Sequence, residues 1–240
     1  RIYFNFRGSF RAAPFVFGIA MSLDDINKRM LKAELDFSRP VGSTKLIAVS
    51  KVQPNDRIKL VLEQGHRIFG ENRIQEAQSK WPAFKEKYKN IELHIIGPLQ
   101  TNKTRAAIEL ADSIHTVDRL KLAKNIARIS QELGRCPELF IQVNTGAEEQ
   151  KSGVLPGETE SFVKECQKMD LTVSGLMCIP PIHEEASLHF ALLKTLSENC
   201  GLNQLSMGMS DDFEKAISFG ATHIRVGSAI FGKRVVSPER

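Results

Sequence analysis

The sequence predicts an α/β fold, a single (β/α)8 TIM barrel, and three observations point to it. Eight short runs rich in Ile, Val and Leu recur along the chain, separated by stretches of helical periodicity. The runs read as continuous apolar stretches, as expected of strands buried on both faces. The 240 residues suit one closed eight-stranded barrel better than two half-sized domains.

In chain order, an amphipathic helix opens at Ser22 and runs to Phe37, with Asp24 and Asp25 in its first turn. A side-chain oxygen at the cap and negative charge behind it both favour a helix start. The strands then fall at 45–50, 67–70, 92–97, 113–117, 139–144, 172–179, 204–207 and 222–226. Helical periodicity is clearest at 119–133 and 158–169. Helix-start signals stand at Pro54-Asn55-Asp56, at Asp118 and at Ser210-Asp211-Asp212, where Ser210 is the expected cap. An open doubly wound sheet is disfavoured because no GxGxxG follows the first strand. No internal repeat, linker or low-complexity tract divides the chain.

The segment 1–20 holds Arg1, Arg7 and Arg11, five of the 14 Phe and no acid. It reads as a leader or a non-native extension ahead of a start at Met21, leaving 21–240 as the barrel domain. The formal charge is +5. Taking those three arginines from the 33 basic residues leaves 30 against 28 acids, a net of +2, so the basicity is largely an end effect. Without a dense basic patch, nucleic acid is not an expected partner. No run approaches the ~18 apolar residues of a membrane span. Cys136, Cys166, Cys178 and Cys200 show no metal-binding spacing and read as reduced thiols in a cytoplasmic protein. No metal site is expected.

In such barrels chemistry gathers where strands end and βα loops begin. Lys51 directly follows the first strand, in a partly desolvated mouth where a lysine amine becomes nucleophilic. Taken alone it is indistinguishable from a solvated loop lysine. Ser206, Gly208 and Ser210 end the seventh strand, and Gly227 and Ser228 end the eighth. Loops seven and eight are the recurrent phosphate cradle of these barrels. Asp211 and Asp212 would repel a phosphate and are expected to face solvent. Arg225, inside a strand, requires either a carboxylate across the barrel or an acceptor on a ligand. Together, the amine, the cradle and the inward arginine describe a site for pyridoxal 5′-phosphate. A permanently charged arginine at the pyridine nitrogen would keep that nitrogen unprotonated and weaken the cofactor as an electron sink. His94 reads as a core histidine before it reads as a base. Met177, Met207 and Met209 read as packing at the barrel mouth, and Glu148, Glu149 and Lys151 as a charged loop after the fifth strand.

At these residues the chain resembles the pyridoxal-phosphate-binding homeostasis proteins, a family related to the N-terminal barrel of alanine racemase. The resemblance rests on AVSKVQP, FGENRIQEA, HIIGPLQTNK, QVNTGAEEQKSGV, GLMCIPP, SMGMSDDFEKAI and IRVGSAIFGKR, which cover nearly everything from Lys45 to Arg234. It implies a fold-type III barrel with an internal aldimine, a Schiff base, on Lys51. It further implies phosphate held by Ser206, Ser210, Gly227 and Ser228, Arg225 at the pyridine nitrogen and Asn72 near the ring. The implied role is that of a non-catalytic cofactor binder in vitamin B6 homeostasis and amino-acid balance, a monomer with pyridoxal phosphate and recipient apoenzymes as partners. An amino-acid racemase is the alternative. It needs a second base opposite Lys51, and the only tyrosines are Tyr3 and Tyr88, so at most weak racemase activity is expected. A cofactor-free class I aldolase is a third reading of the same lysine and cradle.

Overall fold

The structure, a computed structural model, describes residues 22–232. The extension expected at 1–20, the start at Met21 and residues 233–240 lie outside the described residues. Strands β1 (Lys45–Val49), β2 (Ile68–Glu71), β3 (Glu92–Ile95), β4 (Ser113–Val117), β5 (Glu138–Val143), β6 (Val173–Cys178), β7 (Gln204–Ser206) and β8 (His223–Val226) pair in parallel. They close in sequence order, with β8 returning to β1 and Ala48 opposite Val226. This is the (β/α)8 barrel. Its helices are α1 (Leu23–Asp36), α2 (Asn55–Glu63), α3 (Ile74–Lys87), α4 (Thr104–Leu110), α5 (Leu120–Leu133), α6 (Thr159–Lys168), α7 (Ala186–Asn199), α8 (Phe213–Ser218) and α9 (Ser228–Phe231). No helix among the described residues is long and apolar enough to cross a membrane.

Local signals set some boundaries. Ser22 caps α1 in a full capping box: Asp25 N–H donates to Ser22 Oγ, and Ser22 N–H donates to Asp25 Oδ2. α5 stops at Gly134, whose φ of +62° closes the helix. Ser210 departs from expectation because it caps no helix; α8 begins three residues later, at Phe213. Gly208, at φ +93°, turns the chain out of β7, and Met209 N–H donates to Asp212 Oδ1 at 2.6 Å. That bond spends Asp212 on the loop backbone and leaves Ser210 on its crest.

The core has two layers. Leu46 and Ala48 of β1 pack outward with Phe69, Trp81, Leu93, Phe190 and Phe213 beneath the helices. The opposite side faces the lumen, where Ile47 lies level with Arg225. Ile47, Phe140 and Met177 are buried there, but so are His94, His115, Ser206, His223 and Arg225. Barrel interiors of this kind are ordinarily filled by branched apolar side chains. This one is polar through its middle.

Candidate functional site

A cavity of about 280 Å³ opens where the strands end. That is near the small end of the range for small-molecule pockets, ~300–1,000 Å³. Lys51, Asn72, Ser210, Arg225, Gly227 and Ser228 all line it. Val49, Ile96, Ile179 and Met209 give it apolar walls, and Asp211 stands exposed on its rim. Six of the seven residues singled out from the sequence therefore share one pocket. The seventh, Ser206, does not reach it. Ser206 is fully buried, and its hydroxyl is taken by Arg225 Nη1 at 2.7 Å and His115 Nδ1 at 2.8 Å. The phosphate role expected of Ser206 is at odds with that position, one layer below the cavity.

Lys51 sits on a strained elbow. Val52, a β-branched residue, is left-handed at φ +58°, which costs about 1–3 kcal/mol. A clamp from β2 and α3 holds it. Val52 N–H donates to Glu76 Oε1 at 2.6 Å, and Lys80 donates to the Ser50 carbonyl at 3.1 Å. Lys80 also pairs with Glu76, its i−4 neighbour, and with Glu71 at 3.5 Å. Glu71 is fully buried; its Oε1 accepts from Ser50 Oγ at 2.8 Å and Trp81 Nε1 at 3.2 Å. Burial raises the Glu71 pKa, with Lys80 opposing. Reading the sequence for site residues gave none of the three clamp members a role. The one visible signal was the Glu76/Lys80 spacing in the segment after β2.

Asn72 reaches the cavity because Gly97 yields to it. A Cβ at position 97 would stand 2.4 Å from the Asn72 carbonyl oxygen, closer than any side chain is tolerated. Ser210 and Ser228 come from different loops, yet their hydroxyls meet at 3.5 Å. Ser228 also opens α9, and the first N–H groups of a helix lack intrahelical acceptors. Two converging hydroxyls beside such donors suit an anion.

Arg225 is 5% exposed and lines the same cavity. The carboxylate that would explain a buried arginine is not there among the described residues. Nη1 donates to Ser206 Oγ, and Nη2 donates to the Cys178 carbonyl at 2.8 Å. Burial lowers its pKa, and Cys178 and Asp212 oppose that. The guanidinium has five N–H groups, so donors remain for an acceptor in the cavity.

The other residues noted in the sequence fall elsewhere. His94 lies in the lumen, its Nδ1 2.9 Å from His115 Nε2. Met177 and Met207 are buried, and only Met209 of the three methionines lines the pocket. Lys151 pairs with Glu148 in the loop after β5. Tyr88 packs its ring near Phe84 at the end of α3, off the pocket wall. Among the described residues no group of three or more His, Cys, Asp or Glu is placed to hold a metal ion.

Comparison with known proteins places this geometry. The model for the alanine racemase N-terminal domain matches residues 26–235. The pyridoxal phosphate homeostasis protein of Pseudomonas aeruginosa PAO1 is 39% identical over 223 residues, covering 90% of this chain and 96% of its own. The structure of PipY from Synechococcus elongatus PCC7942 with pyridoxal phosphate bound is 36% identical at a TM-score of 0.73. That match covers 86% of this chain and all of PipY. Alanine racemase of Clostridium difficile 630 shares the fold alone, at 13% identity and a TM-score of 0.66, with this chain covering 56% of it.

Proposed function

Because the chain belongs to the pyridoxal phosphate homeostasis protein family, we propose that it holds pyridoxal 5′-phosphate in the β1/β7/β8 cavity through Lys51. The carrying observation is the buried Arg225 guanidinium, which has no carboxylate partner among the described residues and shares one pocket wall with Lys51, Ser210 and Ser228. When bound, the cofactor supplies an aldehyde that condenses with one primary amine with loss of water. Every other contribution is the chain's own. Lys51 presents the amine on its clamped elbow, and Arg225 faces the ring nitrogen. Ser210, Gly227 and Ser228 would hold the phosphate, Asn72 would contact the ring, and Val49, Ile96 and Ile179 would supply the apolar walls around it.

The role is storage and delivery of a reactive aldehyde, in vitamin B6 homeostasis and amino-acid balance, without catalysis. Two-base racemisation needs a proton donor on each face of the substrate. Besides Lys51, the titratable groups that line the pocket among the described residues are the exposed Asp211 and the permanently charged Arg225. The chain acts in the cytoplasm as a monomer and passes its cofactor to apoenzymes; its free cysteines fit a reducing compartment. Reduction of the cofactor-loaded protein with borohydride and peptide mass spectrometry should find the pyridoxyl group on Lys51. A label on another lysine, or none, would overturn the assignment. Brisk Cα deuterium exchange of alanine in D₂O would replace the carrier role with racemisation.

A further inference from the structure

A string of polar side chains crosses the lumen beneath the cavity. Arg225 Nη1 lies 2.7 Å from Ser206 Oγ, Ser206 Oγ 2.8 Å from His115 Nδ1, and His115 Nε2 2.9 Å from His94 Nδ1. His94 Nε2 then faces Glu92 Oε2 at 3.8 Å, and Glu92 meets Lys45 at 3.4 Å. Phe140 stacks on the His115 ring at 4.2 Å and fixes its plane. His223 lies edge-on to His115 at 5.9 Å and is the remaining titratable group against it.

Only one arrangement of protons satisfies every member. Arginine can only donate, so Ser206 Oγ must accept from it. If His115 Nδ1 also donated to Ser206, the serine proton would have no acceptor within the string. His94 would then turn a bare nitrogen toward a carboxylate. With Ser206 donating to His115 instead, His115 Nε2–H donates to His94 Nδ1, and His94 Nε2–H points at Glu92. Burial, the largest cause, and the permanently charged Arg225 press His115 well below its ordinary pKa, which agrees with a neutral ring. A buried polar network of this kind is retained at a stability cost relative to an apolar lumen, so it calls for a role.

We infer that Ser206, His115 and His94 form a one-way hydrogen-bonded strut that aims the Arg225 guanidinium into the Lys51 cavity. The inference rests on the cofactor reading above and assigns Ser206 to the ring nitrogen's partner instead of to the phosphate. These are positioning residues, since none touches the ligand. The strut exists before any cofactor arrives.

Two measurements test it. In the unliganded protein, ¹⁵N–¹H correlation of the histidine rings should find His115 neutral, with its proton on Nε2 and donated to His94 Nδ1. A protonated His115, or a proton on its Nδ1, would overturn the strut. Ser206→Ala and Ser206→Thr are then titrated with pyridoxal phosphate and with pyridoxal, which lacks the phosphate. Loss of a hydrogen bond to a charged group corresponds to about tenfold or more in affinity. Ser206→Ala should therefore weaken both ligands by that same factor and shift the absorption maximum, while Ser206→Thr keeps wild-type behaviour. If Ser206→Ala weakens only the phosphorylated ligand, Ser206 is a phosphate contact and the strut fails. If it weakens neither, the strut fails as well. If the wild type takes up neither ligand, it is the cofactor reading that falls, and Arg225 has no ring to face.

Discussion

The elbow under Lys51 gives the sharpest prediction. Glu76 Oε1 accepts the Val52 N–H at 2.6 Å and pairs with Lys80, and the two side chains are only 20% and 12% exposed. Glu76→Ala removes a hydrogen bond to a charged acceptor, about 1.5–3 kcal/mol. It also leaves Lys80 with the Ser50 carbonyl and a 3.5 Å approach to Glu71. The left-handed Val52 itself costs about 1–3 kcal/mol. The two quantities match in size, so without Glu76 the elbow relaxes and carries Lys51 off the pocket wall. Unfolding free energy should fall by about 2–3 kcal/mol and cofactor affinity by about tenfold. Val52→Gly removes a steric cost of about 1–2 kcal/mol and adds about 0.5–1 kcal/mol of unfolded-state entropy. Alone it should be near neutral, and in the Glu76→Ala background it should recover much of the lost affinity. Urea unfolding followed at Trp81, the sole tryptophan and a neighbour of Glu71, reads the stability. Absorbance titration reads the cofactor. Wild-type affinity in Glu76→Ala, or no recovery in the double variant, would refute the clamp.

Other outcomes follow from the same structure. Arg225→Ala should weaken cofactor binding and move the absorption maximum, because the ring nitrogen is then free to protonate; an unchanged spectrum would show that the guanidinium does not face it. His223 is held down to about 3 by burial first, then by His94 and Lys45. Its folded pKa is depressed, so the unfolded chain binds the extra proton between about pH 6.5 and 3, and stability is lost as pH falls through that window. The loss reaches at most about 1.4 kcal/mol per pH unit, and His223→Gln should flatten that slope in urea titrations. Burial pushes the Cys166 and Cys178 thiols up to about 12. Iodoacetamide on the native protein at pH 8 should therefore spare both and label the half-buried Cys136 first, as peptide mass spectrometry would show.

Most of the barrel was legible because each strand carries outward-facing Ile, Val or Leu and the longer helices carry their own periodicity. Strand ends were harder: β3 stops at Ile95, two residues short of the expected Gly97, since the chain turns there to admit Asn72. Lys51, Asn72, Ser210, Arg225, Gly227 and Ser228 could be picked out because βα loops converge on one end of any such barrel. Ser206 differs for a reason of depth: a single sequence can place it at the inner end of its strand, but not show that its layer lies below the cavity. The strut is hidden more completely still, because His115 and Ser206 are 91 residues apart and meet only across the closed lumen.

Asp211 has a consequence for residence time. An exposed carboxylate on the rim of a pocket that receives a dianion works against the very guest the pocket admits. For the carrier role proposed above, a grip that is covalent at one end and mildly repelled at the other would let the cofactor go once a single bond is hydrolysed.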